Sequence, residues 1–280
     1  MKFVDPTNDI AFKKIFSDKD KQEILISFLN AVLDFKKDKT ITNIIIVNPY
    51  QVPKIEALKE TILDIKATNQ AGENFIIEIQ KKDLGNFSKR TLYYTAKAYV
   101  EQLDIGNDYS KLRKVYFIGL LNFNMFSSEN FISRHLILNQ ETQNQDLDDF
   151  EFSFIELKKF NKSLNDLGNN LDKWIYFLKH AKDLTLIPKE FESIKEFTQA
   201  FEVASQYNWN KQELEVYDYI ALKEYDEINA LETAEKKGLK KGIEEVALKM
   251  LKESTDIELI MKFTGLSKHQ LNGLKVKNNL

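Results

Sequence analysis

The segment "ETILDIKATNQAGENFIIEIQ", residues 60–80, decides the fold and contains the first candidate site. It has the pattern of two strands joined by a short turn, and each strand carries one acidic residue, Asp64 or Glu78, among apolar neighbours. Burying a carboxylate is costly unless a partner compensates its charge. The sequence therefore raises the question of what stands next to these two side chains.

The spacing within the segment fixes how its two strands pair. Side-chain alternation puts Asp64 and Lys66 on one face of the first strand, and Glu78 and Gln80 on one face of the second. The two acidic residues are an even number of positions apart, so a loop of residues 70–72 places them directly opposite each other. Their Cβ atoms would then be about 5 Å apart. The glycine that ends this loop falls where a three-residue hairpin needs a left-handed residue.

Two facing carboxylates repel each other, so their pairing is unfavourable unless a cation lies between them. Mg²⁺ fits this position because it takes oxygen ligands and keeps several waters. A divalent ion held there can activate water against a phosphodiester, and Gln80 can orient that water. The alternative is a half-exposed hairpin whose charges face solvent, and spacing alone does not decide between the two.

The rest of the chain predicts an α/β core followed by an all-α extension. Helical periodicity covers "PTNDIAFKKIFSDKDKQEILISFLNAVL", with a start signal at residues 6–8, and returns in "NFSKRTLYYTAKAYVEQLDIG" up to Gly106. Strand patterns appear in "TITNIIIVN", "KVYFIGLLNF", "FISRHLIL" and "FEFSFIEL", and none follows residue 165. We predict three domains: a core at 1–165, a helical extension packed on the core at 166–235, and a charged helix with a helix-turn-helix-like tail at 236–280.

Composition excludes several classes of site. The chain has no cysteine, which excludes disulfides, thiolate zinc sites and a cysteine nucleophile. Its three histidines, His135, His180 and His269, form no pair at metal-ligand spacing. A net charge of −3 argues against coating nucleic acid by bulk electrostatics. "MKFVDPTNDIAF" has no signal-peptide pattern and no run reaches about 18 apolar residues, so we expect a cytoplasmic protein without a membrane partner.

Four stretches together resemble a known family. They are "DPTNDIAFKKIFSDKDKQEILISFLNAVL", "LDIKATNQAGENFIIEIQ", "FSKRTLYYTAKAYVEQLDIGNDYSKLRKVYFIGLLNF" and "FIELKKF". In this order, over about residues 3–180, they resemble the recombination-promoting nuclease and transposase family of the PD-(D/E)XK nuclease superfamily. The resemblance implies a restriction-endonuclease-like core, in which helices flank a mixed central sheet and a divalent metal binds at a D…ExQ motif.

The resemblance also implies roles for individual residues. Asp64 and Glu78 would be ligands of Mg²⁺, with Mn²⁺ as a substitute, and Gln80 holds the position that is lysine in the wider superfamily. Asp9 matches the acidic residue that the first helix contributes in several such nucleases. The open alternative for Asp9 is a solvent-exposed pair with Lys13, four residues further along the same helix.

Four side chains are candidates to contact the substrate phosphate. Arg90 can clamp a phosphate bidentately, and Tyr94 shares its helix face; both match family positions. Lys13 and Lys66 are the other two. Because glutamine cannot supply the positive charge of a motif lysine, Lys66 is a candidate substitute, with an ordinary solvated lysine as its alternative.

The resulting prediction is a Mg²⁺-dependent endodeoxyribonuclease acting on double-stranded DNA, in reactions that promote recombination or transposition. The alternative of a different class is a catalytically silent nuclease scaffold that binds DNA or another protein, and a third is a nuclease acting on RNA. A homo-oligomer stays open. In the tail, "TGLS" separates two short helical segments at Gly265 and Ser267, either as a DNA-binding helix-turn-helix or as a helical pair that packs against a neighbour.

Overall fold

Two compact units, Met1–Ile220 and Ala221–Leu280, make up the chain. The structure is a computed structural model, and it describes residues 2–47, 50–51, 61–62, 64–83, 85–103, 106 and 108–278. The predicted division into three domains at residues 165 and 235 stays a prediction.

The first unit is built around a mixed sheet. The strands formed by the described residues are, in chain order, β1 (Ile44–Val47), β2 (Tyr50–Gln51), β3 (Thr61–Ile62), β4 (Ile65–Asn69), β5 (Asn74–Gln80), β6 (Val115–Leu121), β7 (Ile132–Leu136) and β8 (Phe150–Glu156). Six of them form one sheet in the order β1-β4-β5-β6-β8-β7, while β2 and β3 pair with each other. The strands β5, β6 and β8 run parallel, and the other pairings are antiparallel. The predicted mixed central sheet is confirmed.

Helices flank the sheet, and after the last strand the elements of the described residues are all helical. The described residues form α1 (Asp9–Phe16), α2 (Gln22–Leu33), α3 (Phe87–Val100), α4 (Asn170–His180), α5 (Lys189–Glu192), α6 (Lys195–Ala204), α7 (Lys211–Lys252), α8 (Ile257–Thr264) and α9 (Lys268–Lys277). Within the described ranges, every helix is too short or too polar to span a bilayer. The predicted helix-flanked fold with an all-α continuation is confirmed.

The two faces of the sheet bury different apolar clusters. Phe75 and Ile77 of β5 point into the larger cluster, where α1, α2, α4 and α6 contribute aromatic residues such as Trp174. Ile76 points to the other face and packs with Phe87 at the start of α3. This alternation follows from the two-residue period of a strand. Glu78, two residues after Ile76, is therefore placed on the α3 side.

The first strand of the predicted hairpin is shorter than its pattern indicated. Its ladder with β5 ends at Ile65, Asp64 lies at a bend, and β3 pairs with β2 instead. The cause is visible in the hydrogen bonding, because the Asp64 side chain itself accepts the backbone N–H of Ile79. Aspartate side chains compete in this way with backbone carbonyls of a ladder.

The helix predicted to reach Gly106 ends earlier. It closes at Val100, and Gln102 pairs with the backbone of Arg113, donating to its carbonyl at 2.9 Å and accepting from its N–H at 2.8 Å. That side-chain bridge ties the segment after α3 to the entry into β6. Periodicity does not report such a contact between residues far apart in sequence.

The second unit contains a small core of its own. Ala247 of α7, Ile260 of α8, and Leu271 and Leu274 of α9 are buried together. Gly265 ends α8 in the left-handed conformation at φ 71°, and Ser267 caps α9. The helix boundaries predicted at these two residues are confirmed.

Candidate active site

The hairpin of β4 and β5 brings the two acidic residues together. Ile65 is opposite Ile77, so the same register continued by one residue sets Asp64 opposite Glu78. The loop of residues 70–72 closes the hairpin, and its glycine has φ +78°, as the sequence predicted. At the far end, Gln80 aligns with the carboxyl ends of β6 and β8. The pair therefore lies near the carboxyl ends of the parallel strands, where open α/β sheets bind ligands.

Backbone hydrogen bonds lock the two carboxylates to each other's strands. The N–H of Asp64 donates to Glu78 Oε1 at 3.2 Å, and the N–H of Ile79 donates to Asp64 Oδ2 at 2.8 Å. Each side chain is thus held by the strand opposite its own. This reciprocal arrangement fixes both carboxylates without neutralising their charges.

The electrostatics of the pair are unfavourable in the protein alone. Glu78 is only 4% exposed, and burial together with the charge of Asp64 raises its pKa from 4.5 to about 8. Burial also raises the pKa of Asp64, and the charge of Asp9 adds to that rise. The hydrogen bond from Ile79 and the charge of Lys13 act in the opposite direction but do not cancel it. The site is short of positive charge.

The first helix, α1, carries two charged side chains that act on the carboxylate pair. Asn8 caps α1, accepting the N–H groups of Ile10 and Ala11, so the helix begins where its start signal predicted. Lys13 Nζ lies 3.6 Å from Asp64 Oδ1. Asp9 is exposed, and its charge raises the pKa of Asp64. Both residues therefore act on the carboxylate pair, and no ion pair between them is seen among the described contacts.

The residues beyond Glu78 add polar groups on the α3 side. Gln80 Nε2 is 3.5 Å from Glu78 Oε2, at the limit of a hydrogen bond. The guanidinium of Arg90 lies 5.1 Å from the ring of Phe87 and 5.8 Å from that of Tyr94, and its charge lowers the pKa of Glu78. Its Nε atom is buried and has no hydrogen-bond partner within the described part of the chain. Arg90 is thus next to the pair with donor capacity to spare.

The structure does not bring Lys66 to the pair. Its ammonium donates to Glu101 Oε2 at 2.9 Å, and both side chains are largely buried. Register explains the separation, since Lys66 is opposite Ile76, two residues before Glu78. Lys13 of α1 contacts the pair instead, through the carboxylate of Asp64.

The comparisons with known proteins can now be set beside this geometry. A model of the PD-(D/E)XK nuclease family transposase matches residues 6–234, most of the chain. The chain belongs to this family. No curated protein and no solved structure matches it. The matched range contains every candidate site residue, from Asp9 to Tyr94, and the resemblance predicted from the sequence is confirmed.

PD-(D/E)XK nucleases generally use divalent metal ions, and the donor set of this chain fits such an ion. Asp64 and Glu78 offer hard oxygen ligands, and a dication would relieve the mutual repulsion that helps to raise the pKa of Glu78. Among the described residues, no group of three or more His, Asp or Glu side chains could hold a metal. Two carboxylates with open positions suit Mg²⁺, which is usually bound by one or two carboxylates plus water and substrate phosphates.

The structure shows two further carboxylates, each paired with a lysine, that the sequence did not single out. Asp5 pairs with Lys182 at 3.3 Å and with Lys81 at 4.0 Å, next to Gln80. Burial alone would raise the pKa of Asp5, but the charges of Lys81 and Lys182 and the hydrogen bonds from Thr7 lower it. The local sequence signal is Thr7, two residues later. Its backbone N–H and its hydroxyl both donate to Asp5 Oδ1.

The second is Glu156, within "FIELKKF" at the end of β8. It is fully buried, accepts the N–H of Phe126 at 3.1 Å and pairs with Lys159 at 2.8 Å. Lys159 also donates to the carbonyls of Phe126 and Ser128. This part of the family pattern holds the loop after β6 in place. Its sequence signal is an acidic and a basic residue three positions apart.

Proposed function

We propose that this chain is a Mg²⁺-dependent DNA endonuclease that hydrolyses phosphodiester bonds of double-stranded DNA. Mn²⁺ would substitute for Mg²⁺, and the cuts would promote recombination or transposition-like events in the cytoplasm. The observation that carries the proposal is the interlocked pair of the partly buried Asp64 and the buried Glu78. The nearby cation Lys13, 3.6 Å from Asp64, does not return the pKa of Glu78 to its ordinary value. A carboxylate pair that lowers the stability of the metal-free protein is expected where a bound cation is needed.

In this mechanism Asp64 and Glu78 would hold the ion through their carboxylate oxygens. When bound, a divalent ion supplies charge that stabilises the phosphoryl transition state and makes water a better nucleophile. The interlocking hydrogen bonds keep both carboxylates in position, so little reorganisation is needed before the reaction. Water attacks phosphorus and gives one proton to solvent, one P–O ester bond breaks with its electron pair going to the leaving oxygen, and that oxygen takes a proton from solvent.

The surrounding side chains would bind and orient the substrate. Arg90 uses its unpaired donor capacity on a phosphate oxygen, and Lys13 adds positive charge beside Asp64. Gln80 positions water or a phosphate oxygen with its amide, and Tyr94 limits the movement of the Arg90 guanidinium. Asp9 would be an auxiliary acidic residue in the first turn of α1.

A catalytically silent scaffold is the second candidate. The observation that favours it is Gln80, because an amide carries no charge to stabilise the scissile phosphate. The chain would then bind DNA or a protein without cutting. An RNA substrate is the third possibility, and competition between DNA and RNA duplexes in the same assay separates it from the first.

The test is nicking of supercoiled plasmid in Mg²⁺, Mn²⁺, Ca²⁺ or EDTA. We expect cleavage by the wild type in Mg²⁺ or Mn²⁺, and loss of cleavage in Asp64→Asn and Glu78→Gln. The matched control is Asp38→Asn, which removes an exposed carboxylate before β1 and should cut like the wild type. Absence of cleavage in every metal, by a folded chain that still binds DNA, would favour the silent scaffold.

A further inference from the structure

The end of the second unit has a charge pattern unlike the rest of the chain. Residues 259–280 contain four lysines and one histidine but no aspartate or glutamate. The preceding part of the same unit, residues 221–258, contains ten acidic residues and seven lysines. An acid-free segment in a chain of net charge −3 marks a local surface suited to a polyanion.

This basic segment comprises most of α8, whose first turn also carries Glu258, and all of α9, joined by a fixed turn. Three residues, 265–267, separate α8 from α9, and Gly265 supplies the left-handed conformation that ends α8. Ser267 and Gln270 form a reciprocal capping box at the start of α9. Two helices joined by a short glycine-containing turn have the outline of a DNA-binding helix-turn-helix.

The core of the unit determines which side of α9 faces outward. Leu271 and Leu274 are buried against α7 and α8. The opposite side therefore presents His269 and Asn272, both exposed. The lysines of the helix, Lys268, Lys275 and Lys277, flank this outward side. The same side also exposes Val276, four residues after Asn272. Polar groups and one small apolar side chain, with cations on both sides, match a helix that reads base edges while lysines contact phosphates.

Gly273 lies on the same outward side, in the interior of α9. A Cβ atom added there would meet nothing within 4 Å. Glycine weakens a helix interior, and no packing within this unit requires it. A missing side chain at the centre of an exposed helical surface allows another molecule to approach the backbone closely.

We propose that α9 docks in the major groove of duplex DNA. Its outward side, with His269 and Asn272, would face base edges, and its lysines would contact the phosphates on either side. The exposed Leu259 and Phe263 of α8 would suit a protein partner, but the acid-free cationic surface of α9 favours DNA. This docking is independent of the carboxylate pair, because a chain that never cuts can still bind through α9.

The experiment measures binding of the full chain to a short fluorescent DNA duplex by anisotropy in EDTA, at several salt concentrations. The triple variant Lys268→Gln/Lys275→Gln/Lys277→Gln should bind at least tenfold more weakly. The slope of log K against log salt is negative, and removing one lysine that neutralises a phosphate should reduce its magnitude by about 0.9. We therefore expect the magnitude of the slope to fall by roughly 2 to 3 in this variant.

The matched control is Lys236→Gln/Lys240→Gln/Lys241→Gln on α7. It changes the net charge equally, within the same unit, at lysines that each lie near a glutamate of their own helix. The control should bind DNA like the wild type. Equal losses of affinity in the two triple variants, or no loss in either, would overturn the proposal, because binding would then follow bulk charge or another surface.

A second variant separates docking from folding. Gly273→Gln places a good helix former on the outward side, so it should raise the melting temperature while weakening DNA binding at least tenfold. Unchanged DNA binding in this variant would overturn the proposal. Light scattering of the same samples tests for a protein contact at this surface. If the α9 lysine variant binds DNA normally but no longer forms an oligomer that the wild type forms, the surface contacts protein. The proposal would then be wrong.

Discussion

Replacing Glu78 with glutamine should remove most of the pH dependence of stability that the carboxylate pair creates in the metal-free protein. The pKa of Glu78 is 4.5 in the unfolded chain and about 8 in the folded one, because burial and the charge of Asp64 both disfavour ionisation. Between these two values the folded state binds one proton more than the unfolded state. Stability therefore falls as pH rises from about 4.5 to about 8.

The magnitude follows from the two pKa values. Each pH unit in this window costs about 1.4 kcal/mol, which sets a ceiling of about 5 kcal/mol. Relaxation and water penetration reduce such penalties in real interiors, so we expect a loss of ~2–4 kcal/mol between pH 5 and pH 8. Glutamine resembles the protonated acid, so Glu78→Gln should match the wild type at pH 5 and exceed its stability by that amount above pH 8.

The assay is urea denaturation in EDTA at four pH values from 5 to 8.5, with Glu78→Gln beside the wild type. Asp38→Asn is the control, since its carboxylate is exposed, and its curve should be parallel to that of the wild type. Added Mg²⁺ should restore stability to the wild type at high pH but not to Glu78→Gln. Parallel pH curves for the wild type and Glu78→Gln would refute the reasoning about the buried pair.

Three further substitutions separate residues of the site from residues of the fold. Lys66→Met should leave plasmid nicking close to the wild-type rate and lower the free energy of unfolding by about 3 kcal/mol, because it leaves the largely buried Glu101 carboxylate without its partner. A collapse of cleavage in a folded variant would contradict this. Arg90→Gln should slow nicking ~10–100-fold. Arg90→Lys should recover the rate only in part, because lysine cannot make a bidentate contact with a phosphate. A wild-type rate in both variants would remove Arg90 from the site. Glu156→Gln should lower the free energy of unfolding by ~3–5 kcal/mol, because it leaves the buried Lys159 without its carboxylate partner. The affinity for Mn²⁺ should not change in this variant. A large change in that affinity would place Glu156 in the metal site.

Local pattern was enough to predict the hairpin and its register. The even spacing of Asp64 and Glu78 and the glycine at residue 72 leave one register in which both apolar faces stay buried. The same is true of Gly265 and Ser267, whose conformational and capping preferences end one helix and begin the next. These features depend on residues close together in sequence.

Contacts between distant residues could not be predicted in this way. The partner of Lys66 is 35 residues away, and Asp5 bonds to Tyr217, 212 residues further along. The bend at Asp64 arises because its side chain takes the N–H of Ile79, a choice that alternation cannot show. The position of Lys13 beside Asp64 likewise depends on how α1 packs on the sheet, which periodicity leaves undetermined.

The measurement that tests the central claim most directly is calorimetric titration of Mn²⁺ into the wild type at pH 7. We expect one ion per chain and release of a proton, because the ion displaces the proton that the raised pKa keeps on Glu78. Asp64→Asn and Glu78→Gln should each lose affinity at least ~10–100-fold, while Asp38→Asn should bind like the wild type. A wild type that binds no ion, or variants of the pair that bind as tightly as the wild type, would contradict the assignment of Asp64 and Glu78 as the metal ligands.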